Sequence, residues 1–206
     1  MSVQPQPMKC LETRSLRSRD YLLRPVTLDD VDERYRGWLL DKEVVHFLHV
    51  GMTDRSLASL RAYVEGVLAD PDRYFYIIED PETAQSIGTI TLTLYALHRS
   101  ATYGFLIGER RFWGGDAALQ CQVALFDFAF EVLGLRKILA SVHLGNVPSH
   151  FNLKRLGFIK EGMLRQEFLM APDGRESSDA VRYGILAAEW RQASAKFDHL
   201  RASDRD

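Results

Sequence analysis

Apolar residues follow two patterns along the chain, one with helical spacing and one typical of strands. Residues 28–39 and 57–68 each repeat apolar side chains at helical spacing, which predicts two helices with one buried face each. The first should begin at Thr27, which is a good N-cap residue, and the second near residues 53–56. A short strand at Tyr21–Val26 is expected to precede them.

Three strand-like segments follow in close succession, at Arg73–Glu79, Ser86–Tyr95 and Ala101–Gly108. The turns between them are short, and connections of this length allow only antiparallel pairing, so the pattern predicts a meander. A nucleotide-binding domain with a parallel sheet is disfavoured for the same reason, because its helical crossovers need more residues than this region offers.

The second half of the chain begins with a segment, Ala117–Leu133, that is apolar nearly all round. Such a pattern predicts a helix buried on more than one side. The remaining elements are expected as a strand at Lys137–Leu144, a short helix from Asn146 to Gly157, strands at Phe158–Met170 and Asp179–Ala187 around a turn at Pro172–Gly174, and a helix from Ala188 to about Phe197. This order predicts an α/β (α+β) fold, a mixed sheet with helices on both faces.

Length and composition restrict the domain organisation and the class of partner. The 206 residues are 46% hydrophobic, which fits one folded domain, and the net charge of −2 argues against a dedicated nucleic-acid binder. We predict a flexible N-terminal extension over residues 1–19, one domain over 20–195 and a C-terminal tail over 196–206.

Cysteine usage and the N-terminal segment bear on the cellular compartment. Cys10 and Cys121 form neither a metal-binding spacing nor a disulfide framework, and free thiols fit a reducing cytosol. The N-terminal residues contain no apolar run that could serve as a signal-peptide core, and no stretch is long enough for a membrane span. We therefore expect a cytoplasmic protein that does not enter a membrane.

The first candidate for chemistry is the connection between the third meander strand and the long helix. It contains Gly114 and Gly115 and leads directly into a helix N-terminus. Unpaired N–H groups and the helix dipole make such a turn suitable for phosphate or pyrophosphate, and Arg110 and Arg111 would add positive charge. The alternative is a plain strand–turn–helix connection in which the glycines only form the bend.

The second candidate is the segment from Asn146 to Ser149, followed by Arg155–Phe158. Asn before a helix is a common cap, Pro fits the first turn and Gly ends a helix. Taken alone, the segment predicts a short helix and no chemistry.

In their order and spacing, the two segments and several others make the chain resemble the GNAT acyltransferase superfamily. Within it, the chain is most similar to the branch of the ribosomal-protein N-terminal acetyltransferases and related amine and amino-sugar acetyltransferases, over about residues 20–192. The resemblance is carried by Trp38–Val44, Ile87–Ile90, Ala101–Gly115, Phe130–Lys137, Asn146 with Ser149, Leu156–Gly162 and Glu189-Trp190.

This resemblance implies acetyl transfer from acetyl-CoA to a primary amine without a metal ion. It also implies a GNAT-type, mostly antiparallel central sheet. The acceptor is expected to be a small amine or amino sugar, with a peptide N-terminus as the alternative, and the protein a monomer or homodimer. A non-catalytic GNAT-like protein that binds CoA or serves as a sensor is the remaining hypothesis.

The resemblance also implies which residues hold acetyl-CoA. The third meander strand should splay from its neighbour and pair with the pantetheine arm, the loop that follows should take the pyrophosphate, and the start of the short helix should lie near the thioester. The residues concerned are Leu106, Ile107 and Gly108, then Arg111, Phe112, Trp113, Gly114, Gly115, Asp116 and Ala117, and finally Asn146 and Ser149.

Asp116 departs from the pattern of this loop, where the family has Gly or Ala. If its carboxylate points inward it opposes the pyrophosphate, by ~3 kcal/mol per unit charge at ~6 Å and an effective dielectric constant of about 20. An outward carboxylate would cost little. The sequence leaves both orientations open.

The acid and base of the reaction are the least determined part of the prediction. Ser149 is the candidate proton donor to the departing thiolate, because Leu153 stands where many relatives have a general-acid Tyr. An amine must lose a proton to attack, so a base is needed. Glu167, which matches a family glutamate within one residue of register, His143 and His98 are the candidates, and each also has an ordinary structural interpretation. Several relatives have Glu where this chain has Thr102.

Overall fold

A computed structural model describes residues 13–48, 54–169 and 176–202. The strands are β1 (Leu16–Arg17), β2 (Leu22–Pro25), β3 (Arg73–Asp80), β4 (Gln85–Tyr95), β5 (Ser100–Ile107), β6 (Lys137–His143), β7 (Ile159–Leu169) and β8 (Ser177–Leu186). The α-helices are α1 (Glu33–Leu40), α2 (Leu57–Ala69), α3 (Ala117–Asp127), α4 (Val147–Leu156) and α5 (Ala187–Ser194). The turn expected at residues 172–174 lies outside the described residues.

The eight strands form one sheet in the order β1-β2-β3-β4-β5-β6-β8-β7. Strands β3, β4 and β5 form the predicted antiparallel meander. Neighbouring strands pair antiparallel except β5 and β6, which run parallel. The mixed, mostly antiparallel sheet expected for this fold class is confirmed.

Helices cover both faces of the sheet, as predicted. Strand β3 alternates its side chains between the faces: Phe75 and Ile77 pack with α1 and α2, whereas Tyr74 and Tyr76 pack with α3. Buried residues line α3 on all sides, and its last turn continues as a π-helix over Phe128–Val132. The long apolar helix of the prediction is therefore two segments of different helical type.

The first predicted helix is also divided. Asp30 accepts a hydrogen bond from the amide of Thr27 at 2.7 Å, and this contact closes a 3₁₀ turn over Leu28–Asp30. The α-helix begins only after Asp32, whose carboxylate accepts from the amide of Tyr35 at 2.9 Å. Thr27 is the N-cap of the 3₁₀ turn and Asp32 is the N-cap of the α-helix, so two N-caps within six residues each begin their own segment.

Both ends of the domain extend past the expected boundaries of 20 and 195. Leu16 and Arg17 pair with β2, and Ser18 bridges to Arg201. At the other end, a 3₁₀ helix over Ala195–Leu200 buries Phe197 and Leu200 in the core. The predicted extension and tail therefore contain ordered residues, because each end supplies apolar side chains to the core; residues 1–12 and 203–206 lie outside the described residues.

Candidate active site

Strands β5 and β6 run side by side for only part of their length. Their parallel pairing covers Ser100–Thr102 against Lys137–Leu139. Both strands continue beyond it without a further ladder in the described structure, β5 to Ile107 and β6 to His143, so a wedge-shaped opening lies between them. In open α/β sheets, ligands commonly bind outside the carboxyl ends of parallel strands, and this opening lies at the carboxyl ends of the parallel pair β5 and β6.

The alternation of antiparallel hydrogen bonds decides which groups of β5 face this opening. The amide of Gly108 donates to the carbonyl of Ile87 at 2.9 Å, which places that amide on the β4 side. Leu106, two residues earlier and paired with Thr89, is turned the same way. The backbone groups of Phe105 and Ile107 then face the opening.

This orientation changes the set of residues available to a pantetheine arm. Of the three strand residues expected from the resemblance, Ile107 faces the opening, whereas the amides of Leu106 and Gly108 are turned to β4. Phe105 was not among the residues expected from the resemblance. Strand parity could have found it once the register against β4 was known, since odd and even residues of β5 point to opposite neighbours.

The connection from β5 to α3 presents a series of backbone N–H groups. After a 3₁₀ turn at Arg110–Phe112, Gly114 has a φ of +76°, a conformation that favours glycine. In this part of the described chain, the amides of residues 114–119 have no turn or loop carbonyl partner, and the first bonded amide is that of Gln120, which donates to the Asp116 carbonyl at 2.8 Å. Unpaired amides at a helix N-terminus form an anion site.

Asp116 is the N-cap residue of α3, but its carboxylate does not cap the helix. Oδ2 accepts a hydrogen bond from the guanidinium of Arg19 at 3.2 Å, and Oδ1 accepts one from Nε2 of Gln120 at 3.1 Å. Both contacts turn the carboxylate toward the connection between β1 and β2. Of the two orientations considered above, the structure has the outward one.

The other side chains of the loop pack it against the sheet. Nε1 of Trp113 donates to the carbonyl of Ile107 at 2.9 Å, so the indole fastens the loop to the end of β5. Arg111 donates to Oε1 of Gln85 at 2.8 Å and stacks over Phe112. The positive charge of Arg111 therefore stays beside the loop.

A cavity of about 440 Å³ lies between α1 and the start of this loop. Its wall includes the indole of Trp38, whose Nε1 donates to Glu109 at 3.1 Å, and Arg34 pairs with the same carboxylate at 3.3 Å. Arg110 binds Asp41 at 2.5 Å on the other side. Arg34 and Arg110 are each paired with a carboxylate in this wall, whereas Arg111, which also lines the cavity, has no carboxylate partner among the described ion pairs.

Helix α4 begins at the far side of the opening. Oδ1 of Asn146 accepts from the amide of Ser149 at 3.2 Å, and Gly157, with a φ of +93°, ends the helix. Asn146 thus has the structural role of an N-cap. Ser149 lies half-buried in the first turn, where the helix dipole favours negative charge.

His143, at the end of β6, is the centre of a group of rings. Its imidazole lies 5.1 Å from the ring of Phe47, and its Nδ1 accepts a hydrogen bond from the amide of Gly145 at 3.0 Å. Partial burial lowers the pKa of His143, and the nearby His46 and His150 lower it further. Because a backbone amide can only donate, Nδ1 is unprotonated and Nε2 carries the proton.

This hydrogen bond changes the role expected for His143. Nδ1, the basic nitrogen, already accepts a hydrogen bond from Gly145, and Nε2 carries the proton. In this state the imidazole is a hydrogen-bond donor and not a base. His150 is similarly engaged, with Nδ1 3.0 Å from the hydroxyl of Tyr183 and Nε2 3.1 Å from the carbonyl of Leu144. His46 and Phe47 were missed in the sequence because only the fold brings them to β6.

Glu167 lies in an irregular part of β7. Leu164 pairs with Ala180 and Phe168 with Ser178, so three residues of β7 face one of β8. Gln166 has a positive φ there, and Glu167 is exposed. The simple alternation of strand faces fails at this bulge. Since β8 lies between β7 and β6, Glu167 is about 10 Å by strand spacing from the end of β6.

His98 lies at the wrong end of the sheet for this site. It belongs to the 3₁₀ turn just before β5, near Lys137 at the start of β6. The opening is at the other end of β6, at His143, which is about 20 Å away along the strand. The structure therefore removes His98 from the candidate bases.

A buried chain of hydrogen bonds crosses from β5 to α4. Nε2 of Gln122 donates to the hydroxyl of Tyr103 at 3.1 Å, and Asn152 donates to Oε1 of the same Gln122. Burial raises the pKa of Tyr103 well above its usual range, so the phenol stays neutral. These polar contacts fix the position of α4, and with it Ser149, relative to β5.

Comparisons with known proteins agree with this geometry. The model of the acetyltransferase (GNAT) domain matches residues 20–159. The uncharacterized N-acetyltransferase p20 of Bacillus licheniformis is 32% identical over 69% of this chain and 81% of its own. Spermidine N(1)-acetyltransferase of Vibrio cholerae is 30% identical over 58% of this chain and 66% of its own. Mycobacterium smegmatis RimJ, in complex with CoA-disulfide, has the same fold, with a TM-score of 0.80 at 23% identity over 93% of this chain and 98% of that one.

The chain belongs to the GNAT acetyltransferase family and is an acetyl-CoA-dependent N-acetyltransferase. The family resemblance drawn from the sequence is confirmed. Within the described residues, no group of three His, Cys, Asp or Glu side chains is arranged to hold a metal ion. In the same residues, no helix has the length and apolar character that a membrane crossing requires.

Proposed function

We propose that the protein transfers an acetyl group from acetyl-CoA to a small primary amine, with amino sugars and other small amines favoured as acceptors. The observation that carries the proposal is the wedge between β5 and β6, which ends at a loop of unpaired amides whose one carboxylate is turned outward. A neutral amine acceptor can approach an acyl group held in this wedge from the side of His143.

Different backbone segments around the wedge bind different parts of acetyl-CoA. Acetyl-CoA supplies the activated acetyl group. The backbone of Phe105 and the amide of Ile107, whose carbonyl already accepts from Trp113, pair with the pantetheine arm, and the amides of residues 114–119 bind the pyrophosphate. Because these contacts come from backbone groups, the loop tolerates an unusual residue such as Asp116 as long as its side chain turns away.

Ser149 is proposed as the proton donor to the departing thiolate. It lies in the first turn of α4, and the partial positive charge of a helix N-terminus stabilises a sulfur that becomes negative. The amide of Ser149 is bonded to Asn146, which fixes the backbone of this turn. The chain through Gln122 and Asn152 holds the helix in place.

Glu167 is proposed as the base that takes the proton of the acceptor amine. It is exposed in a bulge across β8 from the end of β6, and the bulge frees it from the strand alternation that would otherwise fix its direction. His143 is proposed as a polar side chain beside it at the acceptor end of the wedge, in keeping with its position at the end of β6.

The acceptor side of the wedge supports a small amine. Phe47 follows α1 and packs against His143, so this segment covers the end of β6 and narrows the approach. A peptide substrate needs an open groove, whereas a small amine fits a covered pocket. A similarity to spermidine N(1)-acetyltransferase of Vibrio cholerae adds to this support.

A calorimetric titration with acetyl-CoA, followed by a panel of acceptors, tests the proposal. Micromolar binding and acetylation of amino sugars or other small amines, detected as released thiol, would support it. Turnover only with peptides that have a free N-terminus would replace the small amine by a peptide acceptor. Binding without turnover on any amine would favour a non-catalytic CoA-binding protein, and no binding would refute the proposal.

A further inference from the structure

The outward carboxylate of Asp116 is held at both of its oxygens by residues that the family resemblance did not point to. Oδ1 accepts from Gln120, whose side chain is fully buried, and Oδ2 accepts from Arg19. Gln120 also donates to Oδ2 of Asp20 at 2.8 Å and accepts from the amide of Asp20 at 3.0 Å. One buried amide side chain thus joins the loop to the connection between β1 and β2.

Arg19 is itself fixed by the C-terminal segment of the domain. Its amide donates to the carbonyl of Leu200 at 2.9 Å, and its guanidinium donates to the carbonyl of His199 at 3.2 Å. The same guanidinium binds Asp20, with a shortest distance of 2.6 Å. The hydrogen bond to Asp20 is the main reason why the pKa of Arg19 lies above its usual range, and the charge is permanent.

The alternative conformation of Asp116 is the one that would harm anion binding. An Asp at the N-cap ordinarily accepts hydrogen bonds from the first amides of its helix. Here those amides are the anion site, so a carboxylate that capped the helix would both occupy the donors and repel a pyrophosphate. The structure has neither problem, because both carboxylate oxygens are bonded elsewhere.

We propose that Arg19 is a positioning residue for acetyl-CoA, which holds the Asp116 carboxylate away from the amides of the pyrophosphate loop and shares its positive charge between Asp116 and Asp20. This inference rests on the proposed function, since it assigns the loop to acetyl-CoA. Gln120 keeps one carboxylate oxygen when Arg19 is removed, but it supplies no charge. The effect of charge can therefore be tested by substituting Arg19 alone.

Two single variants, their double variant and a matched control test the inference by calorimetric titration with acetyl-CoA at low salt. Arg19→Gln should raise the Kd about tenfold. The repulsion of ~3 kcal/mol given above for an inward carboxylate would raise the Kd about a hundredfold, and solvent screening makes the expected effect smaller. Asp116→Asn should bind within about threefold of the parent, and Arg19→Gln with Asp116→Asn should recover that affinity. Arg17→Gln removes the same charge from β1, two residues away, and should leave the Kd unchanged.

Kinetics separate this role from a purely structural one. Arg19→Gln should raise KM for acetyl-CoA while kcat and KM for the acceptor stay within about twofold of the parent, and the effect should shrink at high salt. Arg19→Lys keeps the charge and should restore most of the affinity. If Arg19→Gln proves unstable in thermal unfolding, Arg19→Met, which also removes the charge, takes its place in the titration.

Two results would overturn the inference while leaving the proposed function intact. One is a parent-like Kd for Arg19→Gln. The other is an equal loss in Arg19→Gln with or without Asp116→Asn, which would mean that Arg19 acts directly on the ligand or through stability. Failure of the parent protein itself to bind acetyl-CoA would instead refute the proposed function.

Discussion

Replacing Gly108 by alanine probes the closest packing in the region of the site. A Cβ built on this residue would lie 2.1 Å from Cδ2 and 2.2 Å from Cγ of Trp38. Carbon atoms pack favourably at about 3.5–4.0 Å, so the indole would have to move by about 1.5 Å. Trp38 is only 5% exposed, and its Nε1 donates to Glu109. The ring therefore has little room to move.

Two terms give the expected size of the effect. Overpacking a core position costs about 1–3 kcal/mol, and weakening a hydrogen bond to a charged group adds about 1–2 kcal/mol. We expect Gly108→Ala to lower the free energy of unfolding by about 3 kcal/mol. At about 2–4 °C per kcal/mol for a domain of this size, the midpoint of thermal unfolding should fall by about 6–12 °C.

Urea unfolding followed by circular dichroism measures this change, and a neighbouring glycine supplies the control. Gly37 lies within α1 beside Trp38, and a Cβ there would meet nothing within 4 Å. Gly37→Ala should therefore stabilise the protein by about 0.5–1 kcal/mol through helix propensity. In a Trp38→Leu background, Gly108→Ala should cost at least about 1 kcal/mol less than in the parent.

The reasoning would be refuted if Gly108→Ala unfolded within about 0.5 kcal/mol of the parent while Gly37→Ala behaved as expected. An equal cost of Gly108→Ala with and without Trp38→Leu would contradict the steric cause, since the two substitutions would then not be coupled.

Further predictions concern the histidine, the cap and the two proposed catalytic residues. The fold holds the pKa of His143 below 6.5, so the unfolded chain binds more protons than the folded protein as the pH falls. The free energy of unfolding should therefore decrease from pH 7 to pH 5, and it should decrease less steeply in His143→Gln. Urea unfolding measured across this pH range checks both. Asn146→Ala should cost about 1 kcal/mol, and Asn146→Ser should recover most of it in the same assay. Ser149→Ala and Glu167→Gln should each lower kcat by at least about tenfold with an unchanged Kd for acetyl-CoA, and only Glu167→Gln should remove the acidic limb of the pH–rate profile.

Local signals in the sequence determined most of the elements correctly. The short turns of the meander, the cap at Asn146 and the stop at Gly157 are properties of a few adjacent residues, and the structure has each of them. The resemblance pointed to the loop at residues 111–117 for the same reason, since its glycines and the following helix are contiguous in the chain.

Features that depend on distant partners could not be predicted in this way. The direction of the Asp116 carboxylate depends on its hydrogen bonds to Gln120 and to Arg19, which lies 97 positions earlier. The exposure of the Phe105 backbone follows from the register against β4, and the hydrogen bond at Nδ1 of His143 from the turn at Gly145. The strand at Leu16–Arg17 was missed because two residues are too few for a periodic signal.

The short junction between β5 and β6 also has a consequence for folding kinetics. The meander forms through neighbouring strands, whereas the three residue pairs of the junction join segments separated by the whole of α3. Because distant pairings are slower to form than local ones, we expect β3–β5 to assemble early and β6–β8 to dock late. One wall of the wedge would then exist before the other, and the cleft would be completed only in the final folding step.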